Sequence, residues 1–533
     1  MKLFTRFGIA AVAITGAAFI AAGCGGSGGG SAASDAATNS KALDYVPKDA
    51  IGYAVFDTDF SGDNWKQFSK LAGAFDKDFE GVEQELSKEA KDSKDPVDFE
   101  KDVDPWLGKT GGAALLAVTK DGDDAEFFAW VEIDDRKKFD DFAKDRDEFK
   151  KGDKVGDFTT YTSTDDDEMV LGVSDDLAII TDSEAQLKET VEYDGDSISD
   201  VDGVDEAVDE AGDDALATIV FTGQGVRKAL SSNAQLKAAA NAKELKDFKA
   251  AAVSFGAEDE GMHVRAYGVS DGEKTVKNGT NEVFTDLPGD TVFAVGGTDF
   301  GGGLKTIAEE AGKDNAQIQQ GVGALSGLLG VDIDDIAKAF EGDFALGLSG
   351  TDEGLGGLVG GVAGAAMGGG NLSGSDAAAL AKSGAVVLAF EETGTASDTL
   401  DKIVGAAGGF IGAGGAPKSG TQGDFETKEL TVAGGIPITT AASDDVAGIA
   451  IGTDVFSTWG DEGLGDNDAY KAAWKAADGP DETGGNIWVD AGRIAKLANL
   501  EGKDDVELGG LVGWVEADDS NASFDLFLHI ESK

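Results

Sequence analysis

The sequence has 533 residues, with 101 acidic against 44 basic side chains and a formal net charge of −57. One Cys and two His exclude an intrachain disulfide framework and a multi-cysteine metal site, and the charge excludes nucleic acid as a partner, because phosphates would be repelled. With 41% hydrophobic residues the chain has the apolar material for packed cores, and its length predicts more than one domain.

Lys2 and Arg6 precede an apolar run over 7–22. That run is shorter than the roughly 20 residues a helix needs to span a bilayer. It closes on Ala21-Ala22-Gly23-Cys24. This resembles a bacterial lipobox, in which signal peptidase cuts before a cysteine that receives a diacylglycerol. Ala21 departs from the pattern, which prefers Leu there. Residues 1–23 are expected to be a lipoprotein signal peptide, with Cys24 as the lipidation site. The protein would then be held on the cell membrane by lipid, facing the extracytoplasmic side. Residues 24–40 are rich in Gly, Ser and Ala and read as a flexible tether.

The elements follow in order. Residues 51–56 and 113–118 read as buried strands, and 127–133 as another. Trp65, Phe68, Leu71, Ala72 and Phe75 predict a helix over 65–75, with Asp63 or Asn64 as its cap. Phe139, Phe142 and Phe149 among charges predict a helix over 136–149. Three short strands are expected at 157–164, 168–173 and 177–181, then a helix over 183–191 capped by Ser183. A strand over 215–221 and a helix over 226–230 follow. Short turns between neighbouring strands favour antiparallel pairing.

Much of this pattern recurs about 240 residues later. Pro47-Lys48-Asp49-Ala50-Ile51 is answered by Pro288-Gly289-Asp290-Thr291-Val292, and Thr58-Asp59-Phe60 by Thr298-Asp299-Phe300. Val173-Ser174-Asp175-Asp176-Leu177 is answered by Ala442-Ser443-Asp444-Asp445-Val446. Both copies end on two strands joined by an acidic turn, at 253–257 and 263–269, then at 511–515 and 524–530. The expected fold class is therefore α+β, as two tandem copies of a mostly antiparallel-sheet domain with flanking helices. The first copy is expected over 41–275. The second, over 276–533, carries a Gly-rich insertion near 354–381, which reads as a flexible hairpin extension.

The opening Leu43-Asp44-Tyr45-Val46-Pro47-Lys48-Asp49-Ala50, the following Asp57-Thr58-Asp59 and the Trp65 helix carry a family resemblance. They resemble a family of uncharacterised bacterial envelope proteins, domain of unknown function 3352, common in actinobacteria and their relatives. The resemblance implies an exported or membrane-tethered protein and assigns no catalytic residue.

Motifs with chemistry are few. Gly268-Val269-Ser270-Asp271-Gly272 has the letters of a nucleophile elbow but no amphipathic helix after it. His263 and His529 stand outside any recognised triad pattern. Gly108-Lys109-Thr110 resembles the end of a phosphate loop, but Val103 stands where its first Gly belongs. Asp57-Thr58-Asp59 and Asp76-Lys77-Asp78 imitate half a calcium loop and lack its closing Glu. The carboxylate turns Asp121, Asp123, Asp124 and Asp165, Asp166, Asp167, Glu168 are the candidate cation sites, suited to Ca²⁺ or Mg²⁺; no cofactor is otherwise expected. The partners expected are the membrane, through Cys24, and envelope proteins or cation-bridged wall polymer. The function expected is a non-enzymatic binding or scaffolding module. A cation-dependent surface adhesin or sensor and an extracytoplasmic carboxylate-based hydrolase are the alternatives.

Overall fold

The computed structural model describes residues 32–532, apart from 76–78, 92–96, 119–124, 147–148, 164–168, 213–214, 233–236, 238, 273–276, 306–330, 353–354, 356–383, 411–415, 432–435, 453, 461, 499–505 and 519. The protein is α+β and divides into two compact units. One holds residues up to Thr275 with Gly502–Glu507 and Asp518–Lys533; the other holds Val276–Glu501 and Leu508–Ala517.

In the first unit the strands are β1 (Gly52–Asp57), β2 (Leu107–Val118), β3 (Ala125–Ile133), β4 (Phe149–Val155), β5 (Phe158–Ser163), β6 (Val170–Val173), β7 (Leu177–Thr181), β8 (Ala215–Thr222), β9 (Phe248–Glu258) and β10 (Gly261–Ser270). They form one antiparallel sheet in the order β4-β5-β6-β7-β3-β2-β1-β8-β9-β10. An eleventh strand, Asn521–Ser532 near the chain's end, pairs antiparallel with β10. One face of the sheet is buried under helices. Phe128, Ala114, Tyr53, Val220 and Ala252 face one another across five strands and belong to a single core cluster. Leu187 of helix Glu184–Val191 and Val204, Ala207, Val208 and Ala211 of helix Val204–Ala211 complete it.

Helix Ala32–Asn39 packs into the same core, with Ala33 and Ala37 fully buried. The tether expected over 24–40 is corrected here, because nearly half of it, Ala32–Asn39, is a packed helix. The physical reason is size: Ala and Ser look like linker composition, yet they are the side chains that let a helix lie close against a sheet.

Local expectations fared unevenly. Ser183 caps its helix, with Gln186 N–H donating to its hydroxyl at 3.2 Å. The helix expected over 65–75 spans Asp63–Ala72, and the residue before it is Gly62. The helix expected over 136–149 stops at Lys144, and Phe149 opens β4 instead. Phe149 still meets Phe142, at 6.1 Å between ring centroids. The aromatic spacing marked a shared core rather than one continuous helix.

In the second unit the strands are β11 (Thr291–Thr298), β12 (Asp343–Gly350), β13 (Gly384–Glu391), β14 (Lys418–Gln422), β15 (Phe425–Thr431), β16 (Pro437–Ala442), β17 (Val446–Ile451), β18 (Gly485–Val489) and β19 (Val506–Asp518). Their order is β14-β15-β16-β17-β13-β12-β11-β18-β19, all antiparallel. Position for position, this is the order of β4 to β9. The next strand in the series, β20 (Asn521–Ser532), is the one that pairs with β10 in the first unit. The buried face is organised by Trp488, whose indole N–H donates to Thr291 O at 2.9 Å and whose ring meets Tyr470 edge-on. Phe340 stacks on Phe390 at 4.1 Å near helix Ala396–Phe410. Of the Gly-rich insertion near 354–381, nearly all lies outside the described residues; Leu355 is buried against Val292.

Equivalent turns in the two units use the same chemistry. Ser174 N–H donates to Leu177 O at 2.8 Å, and Leu177 N–H donates to the Ser174 hydroxyl at 3.1 Å. Ser443 N–H donates to Val446 O at 2.9 Å, and Val446 N–H donates to the Ser443 hydroxyl at 3.0 Å.

Candidate functional site

The structure places the residues named from sequence in structural roles or outside its described range. Residues 1–23 and Cys24 lie outside the described residues, as do Asp121, Asp123, Asp124, Asp165, Asp166, Asp167 and Glu168. Among the described residues, no group of three His, Cys, Asp or Glu side chains converges as metal ligands would.

Asp57 is buried at the end of β1. Its carboxylate accepts from Asp59 N–H at 2.8 Å, and its carbonyl accepts from the Trp65 indole at 3.0 Å. Burial lifts its carboxyl above the ordinary range, only partly opposed by the Asp59 hydrogen bond. This turn starts helix Asp63–Ala72 rather than a cation loop. Gly108-Lys109-Thr110 lies inside β2, so no loop there cradles a phosphate. Ser270 ends β10: its N–H donates to the Asn521 side chain at 3.1 Å, and its hydroxyl accepts from Gly272 N–H at 3.0 Å. His263 lies toward the other end of the same strand, about 23 Å away at strand rise, out of reach as its base. His263 and His529 are both buried, His263 opposite Phe527 and His529 opposite Gly261.

Two features escaped the sequence reading. The first is Asp343, where β12 begins. Burial, then the nearby Glu391 and Glu282, push its carboxyl up to about 6. Its own N–H donates to Glu391 Oε2 at 3.2 Å. Acids stand at or just before the start of several strands, as Asp176, Asp424 and Asp445 do, and nothing local marks Asp343 as the one that burial reaches.

The second is an apolar sheet face in the second unit. Leu511, Val489, Phe293, Leu348, Val386 and Ile451 form one cross-strand row over six strands. Ile487, Val295, Leu346, Leu388 and Ile449 form the adjoining row. Phe293 and Leu346 are each 36% exposed and Ile451 41%, while Leu348 and Val386 pack against Val292 and Leu355, and Leu388 and Ile449 against the cluster around Phe340 and Phe390, so the face is partly covered and meets solvent at three large side chains. Single exposed apolar residues are ordinary, but Phe293 and Leu346 are diagonal neighbours on adjacent strands, and adjoining exposed apolar side chains mark interaction surfaces. The signal in sequence is that these strands are apolar on both faces, where a half-solvated antiparallel strand alternates. These two rows supply dispersion and burial and contain no titratable side chain.

No curated protein matches the chain. Among solved structures, crystal form III of TP0453 matches at 13% identity over 44% of this chain and 81% of that one, with a TM-score of 0.25. Crystal form I of TP0453 matches at 15% identity over 44% and 81%, also at 0.25. Superposition at that level fixes neither fold nor function. A family model covers residues 7–382, including the opening motif, β1 and the helix that carries Trp65. The chain therefore belongs to the family described as Protein of unknown function (DUF3352).

Proposed function

We propose that this chain is a non-enzymatic binding or scaffolding module of the cell envelope. In this reading it is exported on residues 1–23, held to the membrane by lipid on Cys24, and built by tandem duplication. The basic start, the short apolar run and the cysteine that ends it support export and anchoring. No described helix is long and apolar enough to cross a membrane. The shared strand order and the matching Ser174 and Ser443 turns support duplication.

The observation that carries the binding role is the exposed row around Phe293, Leu346 and Ile451. Its chemistry suits the apolar face of another envelope protein. A photo-crosslinker at position 346 is expected to join a discrete partner in intact cells. Phe293→Gln is expected to abolish that product without changing the melting temperature. Crosslinking that survives Phe293→Gln, or equals that from the exposed Lys138, overturns this reading. Cys24→Ser is expected to move the protein from the detergent phase to the aqueous phase.

The carboxylate-hydrolase alternative has the raised Asp343 beside Glu391 in its favour. Glu391 is also engaged by the Asp343 N–H, which gives that carboxylate a structural role.

A further inference from the structure

The pairing of β10 with β20 has a symmetry that the register exposes. Tyr53 of β1 faces Val220 of β8, which faces Ala252 of β9. Its counterpart Ala294 of β11 faces Trp488 of β18, which faces Val512 of β19. Arg265 lies as far along the chain from Ala252 as Asp525 lies from Val512. Arg265 and Asp525 are therefore the same position in the two series. When equivalent strands pair antiparallel, one position faces its own counterpart. Here that position is 265 with 525, and the two are opposed in the ladder.

Identical copies would place like charges against each other at that point, which disfavours the pair. This chain instead sets Arg265 Nε against Asp525 Oδ1 at 3.2 Å, with the two side chains 29% and 16% exposed. Which strand carries the cation also has a local reason. A Cβ at Gly212 would lie 3.0 Å from Arg265 Nη1, so the guanidinium sits at the C-terminal end of helix Val204–Ala211. A cation is favoured at that end of a helix dipole.

Resting on the duplication reading, we propose that Arg265 and Asp525 are a partner selector. The outer edge of β10 accepts a strand with an acid at the self-facing position and refuses a second β10. By the same rule β20 refuses another β20. The strand that fits is the C-terminal strand of this chain, and a second molecule of like sequence could supply it only by exchange.

Single charge reversals test this in the full chain. Arg265→Asp and Asp525→Arg are each expected to lower hydrogen-exchange protection over 521–532 by tenfold or more, with no stable dimer formed alone. Each single reversal leaves like charges facing one another within its own molecule. Mixed in equal amounts, the two carry complementary charges across molecules. They are expected to form a one-to-one heterodimer in native mass spectrometry and to recover protection. The double reversal is expected to stay monomeric and to recover at least half the lost protection on a logarithmic scale; the helix end withholds the rest. Wild-type protection in either single reversal overturns the proposal. So does a double reversal no better protected than the singles, or a mixture without heterodimer. Each of these three failures leaves the duplication standing, because that reading rests on strand order. A family member with a different order in one half would overturn the duplication and leave the charge coupling as measured.

Discussion

Tyr53→Phe tests whether helix Ala32–Asn39 belongs to the folded body. Tyr53 is 2% exposed, and its hydroxyl donates to the carbonyl of Ala37. Phe fills the same space, so the substitution opens no cavity. It deletes one hydrogen bond and strands a buried carbonyl, a change that costs about 1–2 kcal/mol. A loss of that size shifts the melting temperature of a body of this length by roughly 2–8 °C. If the helix opens locally, its amide exchange should accelerate by about 5–30-fold. Calorimetry and exchange mass spectrometry over 32–39 read both quantities. Burial already raises the Tyr53 hydroxyl's pKa well above that of a free tyrosine, so the difference between variant and wild type in either readout should not vary between pH 6 and 8. An unchanged melting temperature with wild-type exchange over 32–39 would mean that the segment is a tether after all.

Three further outcomes are expected. Asp343→Asn should stabilise the protein at pH 7 by about 1 kcal/mol, after allowance for solvent screening of a half-buried group. The sign follows from its value of about 6 against an ordinary 3.8: the folded chain keeps a proton that the unfolded chain releases, so wild-type stability falls as pH rises through that interval. Below the lower value the advantage of the variant should vanish in paired melts. Gly112→Ala should destabilise by about 1–3 kcal/mol in denaturant titrations, because overpacking forces shifts; its Cβ would lie 2.2 Å from Trp130 Cζ2 and 2.5 Å from Ala54 O. Thermal melts in Ca²⁺, Mg²⁺ and NaCl at matched ionic strength should rise together, as screening of a net charge of −57 requires. A saturating rise with one divalent ion alone would instead favour the cation-dependent alternative.

What was legible in the sequence was local. Ser183 caps its helix because a hydroxyl needs only the next turn's N–H groups. The turns at Ser174 and Ser443 close on themselves within four residues, which is why they could be matched across the chain. The short strands around residues 158–181 could be read because turn residues bound each one. Helix Ala32–Asn39 was missed because small side chains signal flexibility until a sheet lies beneath them. Strand β4 was missed because it is almost wholly exposed, so it lacks the apolar alternation that marks a strand, and its Phe149 fitted a helical spacing.

The candidate surface was only half legible. The apolar content of 291–298, 343–350 and 384–391 was visible, but not that Phe293 and Leu346 meet solvent while Phe344, Leu388 and Phe390 on the same side are packed. That depends on which helices cover which face, and coverage is set by contacts far apart in the chain. The same holds for Arg265 and Asp525. Sequence by itself determined the acidic composition, the export-like start, the repeated turns and the antiparallel α+β class, because these follow from composition and near neighbours. Only the tertiary structure decided that the last strand joins β10 and brings those two charges together, because strand partners are chosen by register and burial across hundreds of residues.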